Sequence, residues 1–322
     1  MIKTATKESI KEAAQILRNG GIVGMPTETV YGLAANAYDG KAVAKIFAAK
    51  GRPAINPLIT HIADITDADD LVELNGAAET LATHFWPGPL TMILPRKSDC
   101  KISDLVSAGL PTLAIRVPRH KVTRDLIKAA GIPLAAPSAN LSGSLSPTSP
   151  IHVADSLGDK LDLILAAGPS EVGLESTVID LSGDTPVILR PGAITAEDIA
   201  EVLGQDITID TGDKEKPKSP GQLLKHYAPN TPIRLNAIDV KEGEALLAFG
   251  KTKFMIGQDF DQDRLRNLSE TQDLNEAAAN LFAYLKELDQ TTPTKIAIMQ
   301  IPNTGLGIAI NDRLKRAAAA QE

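Results

Sequence analysis

The chain has 322 residues, 43% hydrophobic and 23% charged, with a formal charge of −7 and a mean hydropathy of −0.03. That length suits about two domains, each with a core of its own, and the negative balance argues against a general nucleic-acid binder, whose footprint is basic. Cys100 stands alone, which excludes an internal disulfide and a multi-cysteine zinc centre and fits a reducing compartment. Aromatic residues are scarce at 3%, so the core must be built from Ala, Leu, Ile and Val. No signal-peptide apolar region follows Met1, and no apolar run approaches the roughly 20 residues that span a bilayer. The expectation is a cytoplasmic protein without a membrane partner.

Helical patterns alternate with short apolar runs, the signature of an α/β architecture. The N-terminus leads into a helix with Ile10, Ala13, Ala14 and Leu17 on one face, stopped at Gly20-Gly21, and Ile22–Met25 reads as a strand. Asp39 can cap a helix whose inner face is Val43, Ile46 and Phe47. Leu58–Ile62, Thr91–Leu94, Leu113–Val117, Pro133–Ala136, Thr177–Leu181 and Val187–Leu189 read as further strands, and Thr195 opens a helix ending at Leu203. Thr211–Gly221 is polar, charged and broken by two prolines, which is linker composition. Beyond it a second α/β pattern carries a long helix at Leu274–Leu288, a strand at Lys295–Met299 and a basic terminal helix at Asn311–Ala319. The expected division is 1–208, a linker at 209–230, and 231–322.

Lys50-Gly51-Arg52-Pro53 places two cations at a helix end that Gly and Pro terminate. Cations fixed at a helix-to-strand junction suit a polyanion such as a nucleotide triphosphate; the alternative is an exposed, solvated pair that contributes little to stability. Arg116 lies inside an apolar strand, where an unpaired charge is costly, so it must meet a structural carboxylate or a ligand's. The phosphate-loop, dinucleotide, zinc-protease and nucleophile-elbow signatures are all missing. In their place are loops rich in hydroxyls, Gly and Pro at strand ends, where α/β proteins put ligand sites. They are Pro26–Leu33, Ala136–Gly143, Gly173–Thr177 and Leu189–Gly192.

An ordered set of segments resembles the YrdC/Sua5 family over about residues 8–203. It comprises Pro26–Leu33, Lys50–Pro53 with Asn56–Leu58, Phe85–Thr91, Ala114–Pro118, Ala136–Asn140, Glu175–Val178 and Leu189–Gly192. Ser219-Pro220-Gly221 with His226-Tyr227-Ala228-Pro229 is similar to the linker of the longer Sua5 subfamily, and Gly305–Leu314 to its C-terminal domain. The linker has Gln222 where Met is expected, and the tail reads Asn311-Asp312-Arg313-Leu314 in place of an Asn-Arg pair.

The resemblance implies a twisted mixed sheet with a concave ligand site, followed by a smaller Rossmann-like α/β domain. It implies that L-threonine, bicarbonate and ATP give threonylcarbamoyl-AMP and pyrophosphate. The product would pass to a tRNA threonylcarbamoyl transferase acting at position 37 of ANN-decoding tRNAs. Threonine would be held by Thr29, His61, Arg116, Ser176 and the backbone at Ala136. The nucleotide would be held by Lys50, Arg52, Asn56, Ser138, Ser146, Arg190 and His226, with Thr112 at its edge, and Lys50 and Arg52 acting in catalysis. Magnesium is expected with the triphosphate, without a carboxylate cluster to bind it. Glu28 and Glu175 read as solvated surface carboxylates, and no general base is assigned. His226-Tyr227 could fold back as a lid, with a chain ending near Leu203 expected to keep its fold; the alternative is an inert spacer. An RNA-binding module is the rival function, on a surface of Lys50, Arg52, Arg116, Arg119, Lys121 and Arg124; weak tRNA binding is compatible with either.

Overall fold

The computed structural model describes residues 1–211, 217, 226–252, 255–257 and 259–321. The first unit runs through β1 (Ile2–Thr4), α1 (Lys7–Arg18), β2 (Val23–Met25), β3 (Gly32–Asn36), α2 (Gly40–Lys50) and β4 (Ile59–His61). It continues with α3 (Gly76–Phe85), β5 (Leu90–Pro95), α4 (Asp104–Ser107), β6 (Thr112–Arg116), α5 (Lys121–Ala130) and β7 (Leu134–Ala135). It closes with α6 (Pro150–Leu157), β8 (Leu163–Ala166), β9 (Thr177–Asp180), β10 (Val187–Arg190), α7 (Ala196–Leu203) and β11 (Thr208–Ile209). These strands form one mixed sheet in the order β1-β8-β2-β3-β7-β4-β6-β5-β9-β10-β11.

Local chemistry explains several boundaries. Asp39 caps α2 by accepting from the Lys41 N–H, and Gly51 ends that helix at φ +61°, a left-handed turn that favours glycine. Thr195 and Asp198 cap α7 reciprocally. The N-terminus differs from expectation: a short edge strand, β1, precedes α1 and pairs in parallel with β8.

The second unit contains β12 (Ile233–Arg234), β13 (Ala245–Ala248), β14 (Leu265–Asn267), α8 (Leu274–Gln290), β15 (Ile296–Ile298) and α9 (Leu306–Ala319). Its sheet is all parallel, in the order β12-β15-β13-β14. Helix α8 buries Ala277, Ala278, Leu281, Phe282, Leu285 and Leu288, a stripe at helical spacing.

The two units share a core. Val30, Leu145 and Leu174 of the first lie in the same apolar cluster as Leu281, Phe282 and Ile310 of the second. At Gly173 (φ +72°) the first unit touches the backbone of α8: a Cβ added there would stand 2.5 Å from the Ala278 carbonyl oxygen and the Ala279 Cα.

Candidate active site

The chemistry gathers where loops and strand ends of the large sheet meet. His61 and Arg116 end β4 and β6 and are register partners, so their side chains leave the sheet together. Thr27 and Thr29 follow β2, Ala136 and Ser138 follow β7, Ser176 precedes β9, and Arg190 ends β10. With Arg52, Glu175, His226 and Tyr227 these residues line one cleft.

Of the residues named from sequence, Thr29, Arg52, His61, Arg116, Ala136, Ser138, Ser176, Arg190 and His226 line this cleft, whereas Lys50, Asn56, Ser146 and Thr112 do not. Lys50 sits behind the wall: its Nζ donates to the carbonyls of Ser138 (2.6 Å) and Asn140 (2.5 Å), pinning that loop. Arg52 donates to the carbonyls of Asn56 (3.2 Å) and Pro57 (3.0 Å), which wraps the turn around its guanidinium. The Asn56 Oδ1 is buried and meets no partner among the described residues. Thr112 begins β6, opposite Pro95, and four residues of strand put it roughly 13 Å from Arg116.

The picture of Lys50 and Arg52 as exposed cations is overturned. They are 2% and 8% exposed. Burial, with Arg52 adding to it, pushes the Lys50 ammonium well below its ordinary range. Burial, then the charge of Arg190, lowers Arg52 to about 10, against an opposing effect of Tyr227.

Glu28 and Glu175 are likewise not surface carboxylates, being 1% and 6% exposed. Glu28 pairs with the Arg116 guanidinium at 2.5 Å. Arg116 also donates to Thr29 Oγ1 (3.0 Å) and to the Gly88 carbonyl (3.1 Å). The structural carboxylate required by a buried Arg116 is therefore Glu28. Glu175 accepts from Ser146 Oγ (2.5 Å) and from Arg313 Nε (2.9 Å). Burial alone would raise both carboxyls, but the neighbouring arginines outweigh it and hold them low. Only tertiary contact could reveal this, because each glutamate's partner lies far along the chain.

Arg190 donates through Nε (3.1 Å) and its terminal nitrogen (2.9 Å) to the Ser176 carbonyl, and also to Ser176 Oγ (3.0 Å). Ser176 Oγ shares a further bond with Thr91 Oγ1 at 2.8 Å. Both cleft histidines are neutral at neutral pH. Burial drives His61 to about 3, aided by Arg116, and His226 to about 3, aided by Arg52, Lys50 and Arg190.

His226 packs edge-on to Tyr227, with ring centres 4.0 Å apart, and Tyr227 stacks on Phe282 at 5.6 Å. The Ala228 N–H donates to the Gly143 carbonyl (2.9 Å), so this end of the linker is tied to the first unit. Ser219-Pro220-Gly221 lies outside the described residues. Arg313, within a motif singled out in the sequence, carried no local sign that it would meet Glu175.

The RNA surface is not assembled. Lys50, Arg52 and Arg116 are buried, Arg119 pairs with Glu171 (2.7 Å), and Lys121 pairs with Asp125 (2.6 Å). Among the described residues no group of three or more His, Cys, Asp or Glu could hold a metal ion, and no helix is long and apolar enough to cross a membrane.

A family model for Sua5, YciO and YrdC proteins, described as "Telomere recombination", matches residues 15–192. A second, described as "Threonylcarbamoyl-AMP synthase, C-terminal domain", matches residues 194–319. The threonylcarbamoyl-AMP synthase of Bacillus subtilis is 43% identical, over 97% of this chain and 93% of its own length. That of Pyrococcus abyssi is 40% identical, over 96% and 94%. The crystal structure of P. abyssi Sua5 complexed with L-threonine superposes with a TM-score of 0.89 at 36% identity, covering 100% of this chain and 97% of that one. The chain belongs to the YrdC/Sua5 family, in its long Sua5 form with a C-terminal domain.

Proposed function

We propose that this chain is an L-threonylcarbamoyladenylate synthase, a nucleotidyltransferase that converts L-threonine, bicarbonate and ATP to threonylcarbamoyl-AMP and pyrophosphate for the modification of tRNA. One observation carries the reading: Arg116, His61, Thr29 and Ser176 share a single cleft with Arg52 and Arg190. One end suits an amino-acid carboxylate, and the other suits a triphosphate. Residues 1–208 would be the catalytic domain, 209–230 the linker and lid, and 231–322 the C-terminal domain.

The first bond joins the neutral threonine amine to carbon dioxide, with an N–H proton passing to solvent, or to the bicarbonate carbon, with loss of water, and either route gives the carbamate. Neutral His61 adds no charge to the cleft, and the surrounding arginines disfavour the ammonium form. Arg116 has five N–H donors and, among the described residues, spends three, on Glu28, Thr29 and Gly88. One N–H remains on each terminal nitrogen for the threonine carboxylate. A carbamate oxygen then attacks the α-phosphorus and pyrophosphate departs. Positioning and charge neutralisation by Arg52 and Arg190 are the protein's main contribution. Ser138 and His226 line the nucleotide end, while Lys50 and Ser146 act from behind it, through the Ser138 loop and Glu175. Asn56 orients the turn that carries Arg52, and Thr112 stays peripheral.

Magnesium enters as part of the nucleotide substrate, held by phosphate oxygens and water, since both nearby carboxylates are engaged by arginine. The His226–Tyr227 segment excludes water from the unstable carbamate. A downstream transferase receives the adenylate in the cytoplasm, and any direct tRNA binding is weak. The test is to incubate the chain with ATP, bicarbonate and labelled threonine. Pyrophosphate release that requires threonine and bicarbonate together is expected; ATP turnover indifferent to threonine sinks the synthase reading.

A further inference from the structure

A buried side chain of the C-terminal domain is paired with a carboxylate of the cleft wall. Arg313 on α9 is 1% exposed. Its Nε donates to Glu175 Oε2 at 2.9 Å and one terminal nitrogen to Asp312 Oδ2 at 2.9 Å. Its guanidinium carbon lies 5.3 Å from the centre of the Tyr227 ring. Arg316 holds Asp312 in turn (3.0 Å) and donates to the Thr211 carbonyl (2.8 Å), so Arg313 is braced within its own helix.

Glu175 lines the cleft and Arg313 does not. A carboxylate at that position faces the negative charge of an incoming triphosphate, in surroundings too poor in water to screen the repulsion. Left alone it would also draw the cleft's cations towards itself. Its carboxyl is nevertheless held low: burial opposes this, and Arg313 leads the groups that outweigh burial. Arg313 is shifted upward in turn, because Tyr227, Glu175 and Asp312 together outweigh its burial.

We propose that Arg313 is a positioning residue for the nucleotide. It takes up the charge of Glu175, so the cleft presents a positive field to an anionic substrate, and the C-terminal domain thereby sets substrate affinity without touching the substrate. The inference rests on the cleft being the nucleotide site. Tyr227 extends the role: the guanidinium that neutralises the floor also supports the ring next to His226 in the cover.

The test uses the full chain, with ATP affinity measured by calorimetry and KM for ATP and threonine measured separately. Arg313→Met is expected to weaken ATP binding about tenfold or more, with a smaller change in threonine KM. Arg313→Lys keeps the charge and should stay within about threefold of the parent. Glu175→Gln alone should tighten ATP binding, and adding it to Arg313→Met should recover most of the loss. A role confined to packing predicts no such recovery. Unchanged ATP affinity in folded Arg313→Met, or a double variant no better than the single, overturns the proposal. If Arg313→Met does not fold, Glu175→Gln decides alone, and unchanged or weaker ATP binding rejects the idea. A parent chain that binds no ATP instead removes the nucleotide-site reading itself.

Discussion

The two sheets of this chain treat charge in opposite ways. Around the cleft the large sheet buries Glu28, Lys50, Arg52, His61, Arg116, Glu175 and Arg190. The core of the small sheet is Leu, Ile, Ala and Phe, and the charges it buries lie outside that core: Glu244, paired with Arg234, and Arg313 and Arg316 on the helix that reaches towards the cleft. Burying a charge costs free energy unless it is paired and hydrogen-bonded. A region that buries so many around one cleft suits a charged ligand, whereas the apolar interior of the small sheet holds a shape.

The sharpest way to break this contrast is to remove the small sheet. A chain ending after Leu203 loses β11, uncovers Val30, Leu145 and Leu174, and leaves Glu175 without Arg313. Such a fragment is expected to keep the fold of the first unit but to melt below the full chain, because these apolar side chains lose their cover. A loss of about 2 kcal/mol from uncovering such a side chain is a drop of roughly 4–8 °C in Tm for a unit of this size. A fragment melting with the full chain would show that the sheets are independent.

Arg116→Ala should destabilise by roughly 3–5 kcal/mol, because it strands Glu28. Arg116→Lys separates structure from binding: it preserves a charge for Glu28 but loses the planar fork, so threonine KM should rise much more than ATP KM. Equal changes in both would leave Arg116 only a partner for Glu28.

Arg52→Ala should slow turnover by the equivalent of roughly 2.7–4 kcal/mol, the usual loss for a donor aimed at developing charge. Because Arg52 is buried and ties down two carbonyls, Tm should fall as well. Full turnover in the folded variant would move Arg52 to the scaffold.

The smallest effect is one of pH. His61 and His226 have folded-state pKa values near 3, below the ordinary 6.5. The unfolded chain therefore takes up protons first on acidification. Their stabilisation is complete above about pH 6.5 and is lost as pH falls towards 3, at about 2 kcal/mol per histidine between pH 7 and 5. Denaturant unfolding at those two pH values should show the slope, and His226→Gln should reduce it. An unchanged slope would mean that His226 is protonated in the fold.

Much of the catalytic sheet was legible because its strands are apolar runs bounded by Gly and Pro, and its loops carry an ordered motif set. Strand β3 was missed for a physical reason: Gly32-Leu33-Ala34-Ala35-Asn36 has weak strand propensity and is almost wholly buried, so it shows no alternation. The cleft was legible through Arg116, whose charge in an apolar strand demands a partner, but the identity of that partner was not. Glu28 lies 88 positions away, and nothing local marks it as buried. The same holds for Glu175 and Arg313, 138 positions apart. Sequence reports which groups need a partner, and the fold decides which one they get.

The bare Cα of Gly173 against α8 bears on how chains of this kind can be recombined. With no room for a side chain there, and Ala278 and Ala279 opposite it, the halves are not interchangeable cassettes. A C-terminal half grafted from another source would need equally small residues on its docking helix and an arginine in register with Glu175. Either mismatch would jam the joint or leave it electrically open. The two halves are therefore bound to change together, and drift in one is admissible only with matching drift in the other.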